Sequence, residues 1–258
     1  MANHALAVLE TALRARKLDR TLTTALPSLE RTDPAAVLPT DVAALDRALR
    51  GGLPRGQLSE ITGPRSSGRT TLLLQVMSAV TQRGEIVALV DTFDRLDMAS
   101  VVAAGADLSR LLWVRGQAIT RAQGSGLRPQ VGPQGDLVER TIDRALKALN
   151  LVLQAGGFSV VAIDLADVPM AVLRRLPYTT WLRVQRAVEG SDTACVLVTP
   201  EPLARSAGGL TLALEGHTTW TGTSEQSRRV AGLDMGARIV SPRRRVEGDV
   251  RVRGDLRI

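Results

Sequence analysis

The chain has 258 residues, 44% hydrophobic and only 2% aromatic, so a core of Leu, Val, Ala and Ile is affordable and a disordered chain is excluded. Its formal charge is +7, and all but Lys17 and Lys147 of its 33 basic residues are arginine. That surplus suits phosphate backbones or acidic protein faces, and equally a compositional drift toward arginine. A single Cys195 inside an apolar run, with His4 and His217 far apart, excludes a disulfide framework and a thiolate or imidazole metal cage within the chain.

Residues 3–22 have Leu6, Leu9 and Leu13 at helical spacing, and Pro27 and Pro34 then bracket a linker. Glu10 and Arg14 interrupt the N-terminus, and no apolar run reaches membrane-spanning length. The expectation is a soluble cytoplasmic protein with no membrane partner. Asp41 is placed to cap a short helix presenting Val42, Leu45 and Leu49, which Gly51-Gly52 ends. Residues 57–62 read as a strand, 63–69 as a loop, 70–82 as a helix, and 85–90 as a buried strand ending at Asp91. A helix over 98–104 and a strand over 111–114 follow. Residues 116–135 are rich in Gly, Pro and Gln without an apolar period, which predicts a surface loop.

Asp136 and Glu139 form a capping-box pattern for a long helix with a stripe of Val138, Ile142, Leu146, Leu149 and Leu153. Residues 158–163 predict a strand ending at Asp164, 179–188 a helix, and 194–199 a strand. Beyond Gly209 come two short β-like segments, 210–214 and 217–221. Strands that alternate with helices, each a nearly continuous apolar run, predict an α/β fold with a mainly parallel sheet covered on both faces. The expected organisation is an N-terminal helix and linker (1–35), a core (36–225) and a basic C-terminal extension (226–258).

The run Gly63, Pro64, Arg65, Ser66, Ser67, Gly68, Arg69, Thr70 fits G-x-x-x-x-G-K-[ST] at every position but one, between a predicted strand and a predicted helix. Glycines let the backbone curl so that amides face phosphate oxygens, and the helix N-terminus adds its positive dipole end. The candidate phosphate-binding residues are these eight together with Thr71. Thr70 offers a hydroxyl to a magnesium ion. Asp164, at the end of its apolar strand, is the second candidate metal residue; a strand-end Asp also serves as a turn or cap residue. The departure is Arg69 in place of lysine, a bulkier planar fork where a compact ammonium ordinarily reaches the phosphates.

Leu38-Pro39-Thr40-Asp41, Gly51-Gly52-Leu53-Pro54, Glu60-Ile61-Thr62-Gly63, Leu89-Val90-Asp91, Leu96-Asp97, Asp164 and Gly208-Gly209 together resemble the RecA recombinase family over roughly residues 38 to 215. The resemblance implies a RecA-like P-loop core with ATP and Mg2+ as cofactors. Within that group the chain is similar to the ImuA type (also called SulA-like or RecA-like accessory proteins), judged on residues 175–186 and the basic end. That type implies a partner such as the inactive polymerase-like ImuB, an error-prone polymerase or the RecA filament. It also implies a role in SOS-type, damage-induced mutagenic translesion synthesis and DNA repair.

The departures from RecA bear on catalysis. A recombinase places a catalytic glutamate two residues after the aspartate matching Asp91, where this chain has Phe93; Asp94 would point to the other face of a continuing strand. A recombinase ends the strand matching 194–199 with a glutamine, where this chain has Pro200, and the loop that follows is short. The expectation is an accessory or adaptor protein in DNA-damage tolerance with weak or no ATP hydrolysis and no catalytic residue. The alternative is a DNA-stimulated ATPase of the RecA/KaiC class. Arg228, Arg229, Arg243, Arg244 and Arg245 are candidate contacts to single-stranded DNA or to an acidic partner, or a solvated tail. Tyr178 and Trp181 lie near arginines as a base-stacking patch would, although a Trp beside Leu182 and Val184 fits a core.

Overall fold

Short buried strands build the centre of the protein, and Val87–Asp91, Val160–Asp164 and Ala194–Thr199 among them are almost wholly apolar. β3 (Gln57–Thr62), β4 (Val87–Asp91), β5 (Leu111–Arg115), β6 (Val160–Asp164), β7 (Ala194–Thr199) and β8 (Leu210–Thr221) form a parallel array in the order β8-β3-β7-β6-β4-β5. β9 (Arg229–Val240) and β10 (Gly248–Asp255) add to β8 in antiparallel fashion and complete eight strands. A separate two-stranded ribbon pairs β1 (Val37–Leu38) with β2 (Leu53–Pro54). The computed structural model describes residues 36–118, 133–204, 209–240 and 248–255.

Alternate strand residues point to opposite faces, and each face has its own core. Ile61, Val87, Leu89, Val160, Ala162, Val196 and Val198 pack on one side with α1 (Ala43–Ala48), α2 (Arg69–Gln82) and α3 (Met98–Ala103). Leu58, Ala88, Val90, Val161, Ile163, Cys195 and Leu197 pack on the other with α4 (Pro133–Ala155), α5 (Met170–Leu173) and α6 (Tyr178–Val188). The α/β expectation with a mainly parallel sheet holds, and the stripe Ile142, Leu146 and Leu149 on α4 is buried as its spacing predicts. No helix among the described residues is long and apolar enough to cross a membrane.

Several local readings change. Asp41 does not cap α1: its φ is +59°, the N-cap position falls on Val42, and no side chain caps it. Asp46 instead reaches back and accepts from the Thr40 amide (2.9 Å) and hydroxyl (2.7 Å), while Thr40 Oγ1 accepts from the Val42 amide. α4 starts at Pro133, so Asp136 lies in its first turn rather than ahead of it. The segments 210–214 and 217–221 are one continuous strand, because Gly216 keeps its pairing with Met235; the irregularity sits between Thr219 and Trp220. Trp181 is buried in the second core and is removed from any base-stacking role. The expected helix over residues 3–22 and the triplet Arg243, Arg244 and Arg245 lie outside the described residues, as does most of the predicted loop over 116–135.

Candidate phosphate-binding site

The parallel pairing brings the carboxyl ends of the central strands to one edge. Thr62 pairs with Thr199, Asp164 with Val198 and with Asp91, and Asp91 with Arg115. Ligands of open α/β sheets bind at this edge, where the loops after the strands converge. The loop from Gly63 to Gly68 joins β3 directly to α2. Ser66 has φ +61° and Gly68 has φ +91°, a left-handed pair that turns the chain into the helix. No side chain caps α2, so the amides of its first turn remain directed at the loop, with the positive end of a 14-residue helix behind them.

Strand β8 presses on this loop from the side. A Cβ on Gly63 would collide with the carbonyl of Leu214 and come within 2.6 Å of Ser67 Oγ. A Cβ on Gly216 would stand 2.6 Å from the Ser66 carbonyl and 2.9 Å from Ser67 Cα. Two glycines therefore permit the backbone of β8 to lie against the loop. The sequence reading missed Gly216, since a glycine inside a strand announces close backbone approach but not what approaches.

Pro64, Arg65 and Ser66 are exposed, as are Thr70 and Thr71, while Ser67, Gly68 and Arg69 are buried. Arg69 is only 7% exposed, and its Nη1 lacks a hydrogen-bond partner, as does Ser67 Oγ. Burial lowers the Arg69 pKa, opposed by attraction to Asp164 and Asp167 and assisted by the like charge of Arg65. Arg65 in turn pairs with Asp167 at 2.9 Å. Two orphaned polar atoms on one loop, Arg69 Nη1 and Ser67 Oγ, can donate to phosphate oxygens beside uncapped amides that do the same. The residues present fit the phosphates of a nucleotide.

Asp164 is half-buried and accepts from the Ala166 amide at 2.8 Å. Desolvation raises its pKa to about 6, opposed by the Ala166 amide and aided by the neighbouring charge of Asp91; Arg69 pulls it back down. Among the described residues no group of three His, Cys, Asp or Glu side chains converges as a metal cage.

Asp91 is fully buried and structural. It accepts from the Arg95 amide (2.9 Å), the Leu96 amide (2.8 Å) and Trp113 Nε1 (3.2 Å), which closes a tight turn over 91–96. Inside that turn Phe93 is 7% exposed and packs into the second core. Asp94 does not continue the strand to its other face; its φ is +56°, and it forms a two-pronged ion pair with Arg115 at 2.8 and 2.7 Å. Arg115 also lies over the Trp113 ring, 4.6 Å from its centre.

After β7, Thr199 is buried and donates to the Glu201 carbonyl (2.8 Å). Glu60, buried in mid-strand on β3, accepts from the amides of Leu203 (2.7 Å) and Ala204 (2.8 Å) and from the Thr211 hydroxyl (3.2 Å). Burial raises the Glu60 pKa, and these three donors oppose the rise. The start of the loop after β7 is thus tied back to the strand that precedes the phosphate loop. Glu60 is the one carboxylate in β3, and its neighbours Gln57, Ser59 and Thr62 make the strand too polar for its burial to show in the sequence.

Arg228 and Arg229 are exposed at the far end of the β8–β9 hairpin, where Thr221 pairs with Arg229. That end lies about 16 Å beyond Gly216, at about 3.3 Å per residue. β9 then runs about 36 Å from Arg229 to Val240. Arg228 and Arg229 are therefore not gathered at the phosphate loop.

A model of the RecA N-terminal domain matches residues 15–123, which include the phosphate loop and the turn over 91–96. The chain is similar to the protein RecA of Clavibacter michiganensis, 35% identical over 159 residues, covering 60% of this chain and 37% of that one. It is 47% identical to the protein RecA of Symbiobacterium thermophilum over 129 residues, covering 50% of this chain and 30% of that one. For the protein RecA of Methylococcus capsulatus the figures are 36% over 129 residues, 50% and 30%. The matches span about a third of the length of these curated relatives, and they support a RecA-like family.

Proposed function

We propose, from the premise that this chain is RecA-like, that it is an accessory protein that binds nucleotide phosphates without turning them over efficiently. It joins a DNA-damage-tolerance assembly as an adaptor. The single observation behind this reading is the position of Phe93. Where the resemblance expects a glutamate to prepare a water, a buried phenyl ring faces the second core. Asp91 and the Arg115–Asp94 pair fix the turn that carries it. General-base chemistry needs a basic group within hydrogen-bond reach of the attacking water, and a phenyl ring supplies none. The loop amides, Ser67 and Arg69 hold phosphate in this reading, and Thr70 and Asp164 are the residues that would hold a magnesium ion.

The adaptor role extends the resemblance to the ImuA type. Its partners would be an ImuB-like polymerase homologue, the RecA filament or an error-prone polymerase, with Arg228 and Arg229 on the exposed hairpin end as contacts. The test is co-purification of the full chain with each candidate, beside the double variant Arg228→Glu, Arg229→Glu. Retention by one of them that the double variant loses supports the reading, and no retention by any of them contradicts the adaptor role. Retention on single-stranded DNA alone, also lost in the double variant, moves the contact from protein to nucleic acid.

A further inference from the structure

Arg65 and Asp167 form an ion pair at 2.9 Å, in which one guanidinium nitrogen donates to one carboxylate oxygen. We propose that Asp167 is a specificity-determining residue of the phosphate loop. Its carboxylate competes with the terminal phosphate of a nucleoside triphosphate for the Arg65 guanidinium, and so sets how strongly the loop favours a triphosphate over a diphosphate. This inference rests on the phosphate-loop reading above and deepens it.

The pair joins segments that the sheet keeps apart. Arg65 follows Thr62, the end of β3, and Asp167 follows Asp164, the end of β6. β7 stands between those strands, pairing Thr199 with Thr62 and Val198 with Asp164. At about 4.8 Å per strand the two ends are about 10 Å apart, so the pair closes over the carboxyl end of β7. Open α/β sheets take their ligands in such a crevice. Both sides of the bridge are held. Under Asp167 the Leu165 amide donates to the Val198 carbonyl (2.9 Å) and the Val168 amide to the Leu165 carbonyl (3.0 Å), with Leu165 and Val168 buried. On the loop, the Ser67 amide donates to the Pro64 carbonyl (3.3 Å), which turns the chain at Arg65 and Ser66.

Arg65 and Asp167 keep 56% and 39% of their side chains exposed, and neither makes another ion pair among the described residues. An exposed pair joined by one hydrogen bond is weak and exchanges readily. A phosphate offers the guanidinium more charge and two oxygens for two parallel bonds. Arg69 on the same loop is buried, so Arg65 is the loop cation free to follow a longer phosphate chain. Each added phosphate also adds negative charge that the Asp167 carboxylate repels. A triphosphate therefore gains most when Arg65 is released and loses most while Asp167 holds it.

The test is calorimetric titration of the full chain with ATP and with ADP, in magnesium, for the wild type, Asp167→Asn, Arg65→Gln and the double variant. The ratio of ATP affinity to ADP affinity is expected to rise about fivefold or more in Asp167→Asn, the worth of one unit charge at about 4 Å in water. The same ratio is expected to fall about fivefold or more in Arg65→Gln, and the gain from Asp167→Asn to shrink below about twofold when Arg65→Gln is already present. An unchanged ratio in the single variants would show that the pair only ties two loops together, and would overturn the inference while leaving the phosphate loop intact. A gain that persists in full without Arg65 would replace competition with plain repulsion and overturn it too. Absence of binding by either nucleotide to the wild type would overturn the inference and the phosphate-loop reading together.

Discussion

Replacing Asp164 with Asn should stabilise the protein at neutral pH and remove a specific pH dependence. The carboxyl titrates near pH 3.8 in a free chain and near pH 6 in the folded protein, chiefly because folding strips its water and secondarily because Asp91 lies alongside. The unfolded chain gives up this proton first, so the group's contribution to stability is complete below pH 3.8 and is lost as pH rises through 6. At 1.36 kcal/mol per pH unit the difference is worth about 3 kcal/mol, an upper limit for a half-buried group that keeps some water. Asn keeps an oxygen for the Ala166 amide, which Asp164 now accepts at 2.8 Å, and carries no charge. Urea unfolding from pH 4 to pH 8 is the assay. The variant should gain up to about 3 kcal/mol above pH 7, with the gap closing toward pH 4. Parallel stability profiles for the two proteins would refute the electrostatic account of this strand end. A gain on removal would also mark Asp164 as a residue retained at a cost to stability, as site residues commonly are.

Phe93→Glu should not create an ATPase; it buries a carboxylate in the second core and should cost about 3–5 kcal/mol, read by denaturant midpoint. A wild-type midpoint would mean that position 93 turns freely to the surface. Glu60→Ala leaves the amides of Leu203 and Ala204 without their acceptor and should cost about 2–4 kcal/mol, whereas Glu60→Gln keeps an acceptor oxygen and should cost under about 1 kcal/mol. Equal losses would count against the hydrogen-bond account. Gly216→Ala drives a methyl into the Ser66 carbonyl and Ser67 Cα, so stability should drop by about 1–3 kcal/mol and nucleotide affinity with it. Unchanged affinity would show that β8 does not shape the loop.

The parallel core was legible because β4, β6 and β7 are apolar runs bounded by turn residues, and β7 falls on the residues that its run predicts. The phosphate loop was legible for the same local reason, since its glycines sit between a strand and a helix at fixed offsets. What stayed hidden depends on distant partners. Gly216 looks like a strand break until Ser66 and Ser67 are seen to fill the space of its missing side chain. Phe93 reads as a lost carboxylate, but only the tied turn shows that the backbone delivers its ring to the core. Asp41 has the right chemistry for a cap, yet Asp46 takes the neighbouring Thr40 donors and leaves Asp41 left-handed. The hairpin end with Arg228 and Arg229 reads in sequence as part of a basic tail; β9 carries them away along the sheet, so cutting the chain after Gly236 would break a central pairing of β8 with β9 rather than trim an extension.

Under the proposed function the loop holds phosphates beside side chains that do not activate water. The most direct measurement is phosphate release by the purified wild-type chain with ATP and magnesium, with and without single-stranded DNA, in parallel with nucleotide binding. Binding with release at background in both conditions is the predicted result. Sustained release that rises with DNA and disappears in Arg69→Ala would contradict it.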